Sequence, residues 1–181
     1  LQRVASLPRV ACAVELGSST GRVVAELARA ADHVVGLDVS FASLLRARQL
    51  LDGRPLRYAR RTSGRHYTFA TIEPGDRAVP AVRRTLVCGD ALDPPLLPGS
   101  AERVVALNVL DAVSNPMQLL RVMDQLCAED GELVLASPFA WQSAVVEDTH
   151  RLGGSDPAAD LADLLEHGRG LGSRYELVER D

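Results

Sequence analysis

The chain has 181 residues, 46% hydrophobic and 24% charged. Those proportions fit one globular domain and exclude disordered, collagen-like and coiled-coil classes. The net charge is −4, from 24 acids and 20 bases, which argues against a nucleic-acid-binding domain with its usual basic excess.

No apolar run approaches the roughly 18 residues that a bilayer span needs. No basic-then-apolar leader opens the sequence. The chain starts at Leu1 rather than Met and stops abruptly, so truncated termini are expected. Every base is arginine. Without lysine there is no Schiff-base site, no P-loop and no kinase strand lysine. Cys12, Cys88 and Cys127 form no CxxC pair. They read as inert core cysteines of a cytoplasmic protein, not as a disulfide framework or zinc knuckle.

Val10 to Leu16 is short, apolar and β-leaning, and Gly17-Ser18-Ser19-Thr20-Gly21 breaks it. Thr20 to Ala31 has helical spacing, with Val23, Val24, Leu27 and Ala28 on one face. Val34 to Asp38 reads as a second buried strand. Ser40 is placed to cap a helix from Phe41 to about Leu51. This β-α-β-α order implies parallel strands with helical crossovers. Leu56 to Arg61 and His66 to Ile72 flank Thr62-Ser63-Gly64 and predict an antiparallel hairpin. It is read as an insertion, about residues 54–84, on a single domain spanning 1–181. Glu73 to Pro80 is loop.

The core pattern resumes with a strand at Arg84 to Cys88, ending at Gly89-Asp90. Pro94, Pro95 and Pro98 stiffen the loop that follows. Arg103 to Leu110 is a strand. Asn115-Pro116 opens a helix to about Cys127, with proline at its first position. Asp130-Gly131 reads as a turn and Glu132 to Ala136 as a strand. Ser137 to Ser155 is a long loop, Asp160 to His167 a helix, and Tyr175 to Glu179 a last strand. About six core strands and four or five helices result. The expected strand order is 3-2-1-4-5, with the late strand at the far edge.

Ligands of such sheets bind at the carboxyl ends of the strands. A glycine-flanked loop there allows close backbone approach and offers N–H groups to a ligand. Asp38 ends the second strand 21 residues after Gly17, where a carboxylate can accept from both ribose hydroxyls of an adenosine ligand. It could equally cap the next helix. These features alone fit a nicotinamide enzyme or a S-adenosylmethionine (SAM) enzyme. The nicotinamide fingerprint needs glycine at three loop positions, but Ser19 and Arg22 occupy two of them. Asp90, after the third core strand, is placed to accept from an adenine amino group, or is an ordinary turn residue.

The E-x-G-x-x-x-G loop, the strand-end Asp38 and Gly89-Asp90-Ala91 together resemble class I SAM-dependent methyltransferases, from about Val10 to Ala136. The resemblance implies a Rossmann-like fold. It also implies that Gly17, Ser18, Ser19 and Gly21 wrap the methionine part of SAM. Glu15 would support its ammonium, Asp38 and the adjoining Val39 the ribose, Asp90 and Ala91 the adenine, and Asn108 would close the pocket. Ser19 stands where the family has its central glycine. LGSSTGR, LRYARRTSGRHYTF, NVLDAVSNP and ASPFAW are similar to the methyltransferase domain of ovothiol-biosynthesis enzymes. That implies methylation of a nitrogen on a thiol-imidazole, mercaptohistidine-like amino acid, with S-adenosylhomocysteine as co-product and a fused or partner domain alongside. NVLDAVSNP departs from that family in its middle residues.

Substrate candidates follow. Asp111 lies just past a core strand, or merely begins a helix. Trp141 and Phe139 ride the open-face loop, over substrate or as loop anchors. Tyr58, His66 and Tyr67 on the hairpin could meet an aromatic substrate. Arg60, with Arg61 and Arg65, offers a forked guanidinium to a carboxylate or is a solvated face. Four scattered histidines give no metal spacing, so no metal is expected. Neither nucleic acid nor membrane is expected as a partner. The alternatives to methyl transfer to a small polar acceptor are a methyltransferase of another acceptor class, a non-catalytic SAM-binding module and a nicotinamide oxidoreductase.

Overall fold

The computed structural model describes residues 7–178. Contacts divide the chain into two compact units, Leu1–Gly89 and Asp90–Asp181. The architecture is a mostly parallel sheet with helices, plus a small antiparallel sheet.

The first unit opens with β1 (Val10–Leu16), α1 (Arg22–Leu27), β2 (Ala31–Asp38) and α2 (Phe41–Leu51). β3 (Leu56–Ser63), β4 (His66–Ile72) and β5 (Arg84–Cys88) follow. The strands run β5-β2-β1, all parallel, which is the expected 3-2-1 order. Ala13, Val14 and Leu16 of β1 and Val34 and Leu37 of β2 are buried. Ser40 caps α2 as expected, its hydroxyl accepting from the Ser43 N–H at 3.2 Å. β3 and β4 pair only with each other among the described residues, and the hairpin turns at Gly64-Arg65.

The border between α1 and β2 differs from the sequence reading. α1 stops at Leu27 instead of Ala31, and β2 starts at Ala31 instead of Val34. Ala31 pairs with Val10 and is fully buried. The parallel ladder therefore takes residues whose helical spacing would have extended the helix. Cys88 is exposed and Cys12 and Cys127 are half-buried, so the expected core placement fails for Cys88. It ends the edge strand of its unit, where one side has no ladder partner among the described residues.

The second unit holds β6 (Ala101–Leu107), α3 (Pro116–Leu126), β7 (Cys127–Ala136) and α4 (Pro157–His167). β6 and β7 are parallel neighbours, matching the expected 4-5 order. Asn115 caps α3 by accepting from the Gln118 N–H at 3.0 Å, ahead of Pro116. β6 ends at Leu107, not Leu110, because Asn108 takes a left-handed φ of 58°. β7 begins at Cys127, not Glu132. The predicted Asp130-Gly131 turn is instead a bulge within it, where Ala101 pairs with Cys127 but Arg103 with Glu132. A Cβ on Gly131 would lie 2.7 Å from the Cys127 sulfur and 3.0 Å from the Glu102 carbonyl oxygen. Across the bulge, the fully buried Arg103 pairs with Glu132 through its Nε at 2.7 Å. Among the described residues no helix is long and apolar enough to cross a membrane.

No strand forms at residues 175–178, and Glu179 lies outside the described residues. The expected late edge strand is replaced by a latch. Asp124 of α3, 9% exposed, accepts from the Tyr175 hydroxyl and the Gly172 N–H, each at 2.7 Å. Burial, then Asp124 itself, pushes the Tyr175 hydroxyl well above the usual phenol range. Asp124→Ala is expected to lower unfolding stability by about 1–3 kcal/mol, since it orphans both donors. Tyr175→Phe should cost about 1 kcal/mol. Urea denaturation checks both, and unchanged midpoints would show that the latch holds nothing.

Candidate functional site

The loop after β1 is held by the last two residues of β2. The Leu37 carbonyl accepts from the N–H groups of both Gly17 and Ser18, each at 2.8 Å. Asp38 accepts from the Ser19 N–H on Oδ2 at 2.7 Å and from the Ser40 N–H on Oδ1 at 2.8 Å. It therefore ties the loop and the start of α2 together. A carboxylate offers about four acceptor sites, so roughly two remain for hydroxyl groups of a ligand. Val39 follows and is 77% exposed.

The loop's backbone explains its composition. Gly17 and Gly21 take φ of 77° and 76°, and Ser19 takes 45°. At Gly21 a Cβ would also lie 3.0 Å from Leu51 and 3.1 Å from Ala47, so this residue seats the loop on α2. Gly36 was not singled out from the sequence. A Cβ there would lie 2.7 Å from Val24 and 3.1 Å from Ser18. A glycine inside a β run is the signal of such close approach.

Glu15 is 4% exposed, at the end of β1. Its pKa is pushed up to about 8, by burial first and then by the charge of Asp38, against a lowering hydrogen bond from the Val24 backbone. Its Oε2 and the Ser18 hydroxyl are buried side-chain atoms without a hydrogen-bond partner. Such orphans are costly unless a ligand completes them.

The second unit holds its own cluster at the carboxyl ends of β6 and β7. Asp111 is 5% exposed and accepts from the Ser137 hydroxyl at 3.1 Å. The Ser137 oxygen in turn accepts from the Phe139 N–H at 3.0 Å. The Gln142 N–H donates to the Asp111 carbonyl at 3.2 Å. Phe139 and Trp141 pack with ring centroids 6.0 Å apart, tilted by 58°. Asn108, exposed, donates its N–H to the Ala136 carbonyl at 2.7 Å. Ser137 is the connecting residue that sequence reasoning missed. A hydroxyl just past a strand end, two residues before Phe139, was its only mark. Asp90 is exposed and closes a turn by accepting from the Leu92 N–H at 2.8 Å, with Ala91 half-buried beside it.

The hairpin candidates stand apart on their own sheet. Arg60, His66 and Tyr67 are exposed, whereas Tyr58 is half-buried. Arg61 donates to the Gly64 carbonyl at 2.6 Å and so closes the hairpin turn.

The sequence pattern of the family described as "Methyltransferase domain" matches residues 14–135. No curated protein matches the chain. Solved structures share the fold. One is the YcgJ protein of Bacillus subtilis, with 13% identity and a TM-score of 0.55, covering 75% of this chain and 47% of that one. A methyltransferase candidate from an antibiotic biosynthesis pathway of Anabaena variabilis has 17% identity and a TM-score of 0.56, covering 91% and 57%. The [4+2]-cyclase SpnF has 18% identity and a TM-score of 0.57, covering 75% and 43%. The chain thus spans about half the length of these structures.

Glu15 makes a pH prediction. The folded carboxyl titrates near 8 rather than 4.5, so between those values the folded state holds a proton that the unfolded state has lost. Stability should fall as pH rises through this window, with the full loss reached above pH 8. Glu15→Gln should flatten that slope. Denaturation midpoints of both chains from pH 4.5 to 8.5 check this, and parallel slopes would refute it.

Proposed function

The chain belongs to the methyltransferase-domain family of class I SAM-dependent methyltransferases, and we propose that it transfers a methyl group from SAM to a small polar acceptor. The observation that carries this reading is the buried, partnerless Glu15 Oε2 at the base of a loop tied down by Asp38. A cationic ammonium complements the first group. Vicinal hydroxyls complement the spare acceptors of the second. In this reading Glu15 and the loop of Gly17, Ser18, Ser19 and Gly21 hold the methionine part, and Asp38 and Val39 hold the ribose. Asp90 and Ala91 take the adenine, and Asn108 borders the pocket.

The bound cofactor supplies an already activated methyl group. What remains for the protein is to position the acceptor, a contribution worth roughly 7–11 kcal/mol in well-oriented reactions. We assign the acceptor to Asp111, Trp141 and Phe139. The buried Asp111 carboxylate is fixed by Ser137 and can accept from an N–H of the acceptor. The aromatic pair offers a flat apolar wall. A thiol-imidazole nitrogen as the methylated atom rests on the sequence resemblance alone. A cytoplasmic setting agrees with three free cysteines.

A second reading is a SAM-binding module without methyl transfer. Ser19 at a left-handed φ of 45° in the loop centre favours it, since the hydroxymethyl group narrows space that glycine would leave open. Formation of S-adenosylhomocysteine with an imidazole or amine acceptor separates the two readings.

Calorimetric titration with SAM, S-adenosylhomocysteine and NADH tests the cofactor. The first two are expected to bind and the third is not. Asp38→Ala should weaken SAM at least tenfold, about 1.4 kcal/mol. Asp38→Asn, which keeps one acceptor oxygen, should weaken it less. Unchanged affinity in both variants would remove Asp38 from the site.

A further inference from the structure

The β3–β4 hairpin is a two-stranded sheet of its own. Such a ribbon is marginal in water unless something covers it. From Gly53 to Ile72 it carries five arginines and no acid, while the rest of the chain holds all 24 acids. The low net charge therefore averages a basic arm with a strongly acidic body. Pairing of Arg61 with Tyr67 and of Ala59 with Phe69 puts Arg57, Arg61, Tyr67 and Phe69 on one face. Phe69 is 71% exposed and Tyr67 60%. The Arg57 guanidinium sits 4.0 Å over the Phe69 ring centroid. Exposed rings interleaved with arginine are the composition of protein-interface anchors.

A surface of the opposite kind lies on α4. No residue of this helix is buried, although Leu161 and Leu164 form an apolar ridge along it. A cleft of about 300 Å³ is lined by Leu152, Leu161 and Leu164 together with Asp160, Asp163 and Arg169. Asp163 already holds Arg169 at 2.9 Å, and Asp160 accepts from the Gly154 N–H at 2.6 Å. Both carboxylates are thereby fixed in place.

We propose that the hairpin of one copy docks on α4 of a second copy, with Phe69 in the leucine cleft and Arg57 and Arg61 facing Asp160 and Asp163. Charge and apolar surface match on both counts. Hairpin against hairpin would set like charges together. A nucleic acid would meet the acidic body. Exchanged reciprocally, the contact is made twice and closes a two-fold dimer.

The test is a charge swap read by sedimentation velocity at low salt. The wild-type chain should run at twice its 19.4 kDa mass and shift toward monomer in 0.5 M salt, because exposed ion pairs are screened. R57E/R61E alone and D160R/D163R alone should each be monomeric. Mixed one to one, they should form a heterodimer, since both contacts then regain opposite charges. Circular dichroism confirms that each variant is folded, and Phe69→Ser serves as an uncharged second variant expected to loosen the dimer at least tenfold. A wild-type chain that stays monomeric at hundreds of micromolar overturns the proposal. So does a dimer indifferent to all three variants, or monomeric variants that fail to pair when mixed.

Discussion

Two acceptors at the end of β2 organise the first unit. One carbonyl, of Leu37, accepts two successive N–H groups, and one carboxylate, of Asp38, accepts from the loop and from the next helix. Backbone donors of a tight loop have few partners of their own, and unmet ones are costly when buried. Here the end of one strand meets the needs of its neighbour's loop. The Asp38 hydrogen bonds are charge-assisted and so stronger than neutral ones. They fix a loop whose conformation is otherwise unfavourable, including a serine at positive φ. Gly36 completes the arrangement by letting Ser18 and Val24 pack directly on β2.

The same tightness isolates Glu15. The strand carries it under the loop, where water cannot reach its second oxygen. Desolvation then favours the protonated acid. A buried carboxyl with an unmet oxygen weakens the fold, and a cation placed beside it would favour its ionised form. Burial that a structural role would avoid is what gives this residue its functional reading.

Much of this was legible in the sequence because the signals were local. Ser40 and Asn115 announced helix starts through cap chemistry. Gly17, Gly21 and Asp38 announced a loop between parallel strands through spacing. What failed was decided at longer range. The end of α1 depended on Ala31 being captured by Val10 across a ladder, and no glycine or proline marked it. The bulge at Gly131 is a shift of register against β6, between Ala101 and Arg103. The segment from Tyr175 has a strand's alternation, but its hydroxyl is held by Asp124 and its described residues join no ladder. The link from Asp111 through Ser137 to Phe139 is invisible in sequence, because it joins residues whose proximity only the β6–β7 register creates.

Backbone strain gathers at strand ends. Four residues other than glycine have positive φ among the described residues: Ser19, Asn108, Asp130 and Phe139. Asp130 lies in the β7 bulge, next to Gly131. The other three stand just past the carboxyl ends of β1, β6 and β7. An L side chain in this region costs of order 1 kcal/mol or more, and the phenylalanine side chain has no hydrogen-bonding group of its own to offset it. Each is held by a neighbour instead: Ser19 by Asp38, Asn108 by the Ala136 carbonyl, Phe139 by Ser137. Strain retained at three strand ends, each with a dedicated hydrogen bond, is hard to explain by stability alone. It is readily explained if those strand ends must present particular groups to a ligand, which is where parallel α/β sheets bind theirs.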